Sequence, residues 1–222
     1  PEETPGATAS EDWDPSPAAL TLPLATDLDG EWQNPGQECS GAQDPDDPRI
    51  TFCRQGGNFA AGEPVLVMLG DSHMQHWSEA GARMMEDSGG SWILLHHPGC
   101  RYGSDAARSE PACADFQDAA QEYVTALAPT WVMANASMTV QGYDEDLRTP
   151  GEQEALVDGF DQAIFPFLAA GSKVVAVRDT PRYEYLIPEC VDSAKSDPSR
   201  CDGLASELLN ETNPVDTWLE SA

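Results

Sequence analysis

The sequence predicts an α/β fold, a three-layer α/β/α sandwich built on a short parallel sheet with disulfide-stapled loops. Three observations carry that reading. Four short apolar runs, partly β-branched and too short for helices, stand at Val65–Leu69, Ser91–Leu95, Trp131–Ala134 and Lys173–Val177. Segments with apolar residues at helical spacing separate them, and glycine or proline punctuates the hand-overs, as at Gly70, Gly89-Gly90, Pro129 and Gly171. Strands alternating with helices form right-handed βαβ units, and the loops after the strands then gather on one edge of the sheet, where such folds place their sites.

Residues 1–20 are rich in Pro, Glu, Asp, Ala and Ser with Trp13 as their one aromatic, and cannot bury enough apolar surface to offset ordering entropy. They are read as a flexible acidic linker, and residues 21–222 as one domain. From Leu20 to Gly62 no period is clear, so an irregular arm laid over the domain is expected. Val65–Leu69 is the first strand, and Ser72 to about Asp87 the first helix, with Met74, Trp77 and Ala80 to Met84 at helical spacing. The second strand ends in the loop His96-His97-Pro98-Gly99-Cys100. A helix from about Ala114 to Leu127 leads to the third strand, which ends at Asn135. Gln141 to Pro150 is a polar loop. Glu152 to Ala170 reads as a single helix with its stripe at Leu156, Val157, Phe160, Ile164, Phe167 and Leu168. The fourth strand is followed by Arg178-Asp179-Thr180-Pro181.

Thirty-nine acidic residues against eleven basic ones give a net charge of −28. Such a chain lacks the basic patches that nucleic acid or an anionic membrane would require. No apolar run approaches the ~20 residues that span a bilayer. Cys39, Cys53, Cys100, Cys113, Cys190 and Cys201 form three locally spaced pairs without a C-x-x-C, and all four histidines lie between His73 and His97. That excludes a zinc ribbon or finger and fits three disulfides in an oxidising compartment, with free buried thiols of a cytosolic protein as the alternative. Six cysteines allow 15 pairings, of which the sequential one is expected. His96 and His97 are adjacent on an extended segment and point to opposite faces, so no metal is expected, nor any cofactor. The chain begins at Pro1 with no signal peptide, and an exported domain of that kind is expected to be a piece of something longer or a mature form.

Ser72 falls where a strand hands over to a helix. A hydroxyl there projects from the carboxyl edge of the sheet beside the free N–H groups of a first helical turn, which suits a nucleophile with an oxyanion site. Asp71 and Ser72 are equally good N-caps, and that reading stays open. The loops after the first three strands supply Ser72, Gly99 and Asn135: a hydroxyl, a glycine N–H and a carboxamide, the parts that acyl transfer needs apart from a base. Gly70-Asp71-Ser72-His73 with Trp77, Pro98-Gly99-Cys100, Asp179-Thr180-Pro181 and Pro188-Glu189-Cys190 with Cys201 resemble the SGNH (GDSL-like) hydrolase and acyltransferase superfamily. The chain is most similar to the extracytoplasmic SGNH domain fused to a membrane-embedded acyltransferase-3 domain in bacterial cell-envelope O-acyltransferases.

The resemblance covers roughly Leu20 to the end and implies Ser72 as nucleophile, Gly99 and Asn135 as oxyanion donors, and Asp71 and His73 as support of the first block. Ala134 precedes Asn135 where the family has glycine two positions before it. The implied function is O-acylation, most simply O-acetylation, of a cell-envelope glycan or glycolipid acceptor through a Ser72 ester. The implied partner is an acyltransferase-3 membrane domain on the same polypeptide, and the implied location is extracytoplasmic and membrane-tethered. One block departs. The family places Asp-x-x-His near its carboxyl end, and no histidine follows His97 here. A chain cut short before that block, a degenerate binding module, and replacement by His73 or His76 are the three explanations, of which truncation is expected. His76 shares a helix face with Ser72 at i,i+4 but would lie beside the hydroxyl rather than across it. His73 and His76 are expected to be structural, one near the site rim and one packed with Trp77. A secreted esterase of the same fold and a non-catalytic glycan-binding module are the rival functions.

Overall fold

The computed structural model describes residues 33–139, 154–181, 183, 185–194, 198–202 and 209–221. The acidic linker and the polar loop at 141–150 lie outside the described residues. Strands β1 (Gln37–Glu38), β2 (Cys53–Gly56), β3 (Val65–Gly70), β4 (Ser91–His96), β5 (Trp131–Asn135) and β8 (Lys173–Val177) form one sheet in the order β1-β2-β4-β3-β5-β8. The last four in that order are mutually parallel. A second, two-stranded antiparallel sheet pairs β6 (Ser137–Thr139) with β7 (Glu154–Leu156). Helices α1 (Ser72–Asp87), α2 (Pro111–Leu127), α3 (Phe160–Ala169), α4 (Ile187–Ala194) and α5 (Pro214–Ser221) complete the elements.

Strand β3 is apolar throughout because it is covered on both faces, as parallel strands between helices must be. Its alternate residues divide the core. Val67 and Leu69 join Ile93, Leu95, Val132 and Ala134 beneath Phe116, Ala120 and Val124 of α2 and Phe160, Ile164 and Phe167 of α3. Leu66 and Met68 face the other way with Trp92, Leu94 and Met133, against Met74, Ala82 and Met85 of α1. The α/β/α layering is therefore as the sequence predicts.

Two elements differ from expectation. The arm is not wholly irregular: β2 adds antiparallel to the edge of β4, with Cys53 opposite Leu95, and β1 adds to β2. The sheet is thus mixed, its antiparallel edge stapled by Cys39–Cys53. The helix expected over Glu152–Ala170 is two elements. Residues 154–156 are strand β7, and the helix begins only at Phe160. The cause is long-range. The Glu154 carboxylate is wholly buried against Arg178 at 2.7 Å and accepts from the Ser137 hydroxyl at 2.7 Å, and the Val157 amide donates to Ala136. An extended backbone is needed to reach all of these, and they outweigh a helical periodicity that propensity alone would satisfy. The other two bridges are Cys100–Cys113 and Cys190–Cys201.

Candidate active site

The carboxyl ends of β3, β4, β5 and β8 converge at one edge, and the residues that follow each strand build the site. Asp71 closes β3 and N-caps α1: its Oδ1 accepts from the His73 amide at 2.9 Å, and its carbonyl accepts from the Gln75 amide. Ser72 is thus the first helical residue, half-buried, and its hydroxyl has no hydrogen-bond partner among the described residues. The capping and nucleophile readings are divided between two residues, with Asp71 alone acting as the cap. Gly70 is closely covered, since a methyl there would stand 3.0 Å from Met74 Cβ and in van der Waals contact with Asn135 Oδ1 at 3.8 Å.

Gly99 lies in the turn after β4, exposed and at φ +70°, a left-handed conformation that favours glycine. Its N–H has no acceptor among the described residues. Asn135 ends β5 and is buried, with neither carboxamide atom hydrogen-bonded among the described residues. Its Oδ1 faces Gly70 on the side covered by Met74. His96 stands opposite Gly70 on β4, packed edge-on to Phe52 at 4.9 Å, and both its ring nitrogens are buried without partners among the described residues. Burial pushes the His96 imidazole below its ordinary value, so the ring is held neutral. Two unpartnered polar side chains therefore flank the backbone of Gly70. Buried polar groups are normally satisfied, and such orphans mark a place built for something other than stability.

His73 Nδ1 lies 2.5 Å from Asp179 Oδ1, a side chain with no exposure at all. The His76 ring lies at a centroid distance of 5.8 Å from that of His73. Burial opposes ionisation of Asp179, but hydrogen bonds and charge from His73, Arg101 and the Thr139 amide outweigh it and hold the carboxyl well below the usual range. An ionised Asp179 fixes the Nδ1–H tautomer of His73.

Arg101, which sequence reasoning passes over, completes the cluster. Its Nε donates to Asp71 Oδ2 at 3.0 Å, and its Nη1 reaches Ser137 O at 2.6 Å and Asp179 Oδ2 at 3.1 Å. Nothing in a lone arginine after Gly-Cys announces this; the two aspartates it joins are 108 positions apart (179 − 71). No group of His, Cys, Asp and Glu among the described residues could hold a metal ion.

Comparisons with known proteins follow this geometry. A family model described as the SGNH domain (fused to AT3 domains) matches residues 38–222. The solved periplasmic domain of a lipopolysaccharide acetyltransferase from Salmonella ser. Paratyphi A is similar over 73% of this chain and 63% of that one, at 14% identity and a TM-score of 0.45. No curated protein matches.

Proposed function

Because this chain belongs to the family of SGNH domains fused to AT3 domains, we propose that it is an O-acyltransferase domain, most simply an O-acetyltransferase, in which Ser72 carries the acyl group. The observation that supports this is the meeting, at the ends of three adjacent parallel strands, of a Ser72 hydroxyl and an Asn135 carboxamide, both without a hydrogen-bond partner among the described residues, with the exposed Gly99.

In this reading Ser72 Oγ attacks the acyl carbonyl as its proton leaves to a base, and the oxyanion gathers hydrogen bonds from Gly99 N–H and Asn135 Nδ2. The leaving group departs and Ser72 holds the acyl ester. An acceptor hydroxyl then attacks that ester, forming the product ester and restoring the serine. This reading assigns that base to neither helix histidine. His73 is one residue from Ser72, so the two side chains leave the helix axis about 100° apart, although Asp179 at its Nδ1 leaves Nε2 as the basic nitrogen of the ring. His76 lies a turn along the same helix, beside the hydroxyl rather than across it.

The acceptor in this reading is polyhydroxylated, a cell-envelope glycan or glycolipid. The donor partner in this reading is an acyltransferase-3 membrane domain on the same polypeptide. No helix among the described residues is long and apolar enough to cross a membrane. Three disulfides support an extracytoplasmic placement.

The test is acetyl transfer from p-nitrophenyl acetate by the full natural protein, with the Ser72 peptide read by mass spectrometry. Wild type should release nitrophenol and accumulate acetyl on Ser72, and Ser72→Ala should fall to background. Asn135→Leu should lose about 10²-fold in rate while folding at least as stably, since it removes two unpartnered buried polar atoms. A Ser72→Ala variant as fast as wild type would overturn the reading.

A further inference from the structure

Resting on that reading, we infer that Arg101 is the positioning residue of the nucleophile, a buried clamp that holds the Gly-Asp-Ser-His turn through the two aspartates that flank and face it. Ser72 lies between residues that are both anchored. Before it, Asp71 gives Oδ1 to the His73 amide at 2.9 Å and Oδ2 to Arg101 Nε at 3.0 Å. After it, the imidazole of His73 is held at 2.5 Å by Asp179 Oδ1, and Asp179 Oδ2 receives Arg101 Nη1 at 3.1 Å. A closed circuit runs Asp71, Arg101, Asp179, His73 and back to Asp71, with Ser72 inside it.

The same guanidinium joins the ends of all four parallel strands. Arg101 sits in the loop after β4, Asp71 follows β3, Ser137, whose carbonyl accepts at 2.6 Å, follows β5, and Asp179 follows β8. Asp179 is fixed further by the Thr139 amide at 2.9 Å, the Thr139 hydroxyl at 3.1 Å and the Thr180 amide at 2.9 Å, and its own amide donates to Ser137 Oγ at 2.9 Å. Arg101, Asp71 and Asp179 side chains are 7%, 9% and 0% exposed. Charges taken so far out of water are a poor source of stability, because desolvation offsets their attraction. What they do supply is direction. A planar fork with fixed donor angles sets the mutual placement of its acceptors in a way that packing of aliphatic groups does not. A displacement of about 1 Å at a reacting atom can cost about 10²-fold in rate, and the circuit restrains the one turn where that matters.

Arg101→Lys tests the clamp, since it keeps the charge but offers a single ammonium that cannot span Asp71 and Asp179 together. Two readouts are taken on the full natural protein: hydrogen exchange of segments 70–77, 136–139 and 177–181, and the rate and KM of Ser72 acylation by p-nitrophenyl acetate per folded molecule. Faster exchange confined to those segments, with acylation down about 10²-fold at unchanged KM, is expected. Asp179→Asn should do the same and carries the test if Arg101→Lys does not fold, and the double variant should be no slower than either single one. Unchanged exchange, or a folded variant acylating at the wild-type rate, overturns the inference. A wild type that does not acylate Ser72 at all defeats the catalytic reading instead, and exchange still decides the clamp.

Discussion

His96 shows how a single buried side chain can set a property of the whole protein. Its ring is neutral because burial lowers its pKa, with His97 adding to the effect and the Asp71 charge opposing it. In the unfolded chain a histidine titrates near 6.5. As pH falls through that value the unfolded state takes up a proton that folded His96 refuses, so stability is complete above about pH 7 and declines below it. His76 is shifted in the same direction, by partial burial of its ring and by neighbouring His73. His96→Phe, which keeps the edge contact with Phe52, should flatten the fall in melting temperature between pH 8 and pH 5 without removing the part due to His76. An unchanged pH slope would mean that the ring is charged when folded. The places of Ser72, Gly99 and Asn135 at the carboxyl ends of β3, β4 and β5 were legible because each apolar run ends at a predictable edge. Arg101 was not, since its three partners come from loops that meet only when the sheet closes, and neither was the pairing of His73 with Asp179.

Elements were legible where local pattern and tertiary demand agree. The runs that became β3, β4 and β5 read as strands because they are buried on both faces, β8 reads as one from its β-branched run although it lies partly exposed at the sheet edge, and α1 was bounded by its own cap and by Gly89. The β7 segment failed that criterion: its helical spacing is real, but the Glu154–Arg178 ion pair and the Ser137 hydroxyl draw it out. The loop between β4 and α2 is the element on which the site depends most. Cys100–Cys113 ties it to α2, and the Gln117 carboxamide donates to Arg101 O at 3.2 Å. Bridges closing loops of 13 and 11 positions are each worth about 3 kcal/mol in the loop-entropy account. Replacing Cys100 and Cys113 by alanine, or Cys190 and Cys201, should therefore lower stability by similar amounts in denaturant titrations. Only the first pair, whose Cys100 sits between Gly99 and Arg101, should also slow Ser72 acylation per folded molecule. Equal rates in both variants would show that the loop holds its shape without the bridge.

At the scale of the whole molecule, a net charge of −28 on 222 residues means that the folded chain repels itself. Raising sodium chloride from about 10 mM to 0.5 M shortens the Debye length from about 30 Å to a few ångströms, and the melting temperature should rise accordingly. A flat response would mean that the charges are already neutralised locally. The bridges carry a different consequence. Each joins a cysteine to the very next one along the chain, Cys39 to Cys53, Cys100 to Cys113 and Cys190 to Cys201, over 14, 13 and 11 positions. No bridge has to wait for a later one, and no correct partner lies beyond a competing thiol. A chain threaded through a membrane from its amino end can thus seal every bond as that stretch emerges, with no need for a reshuffling enzyme to undo premature links.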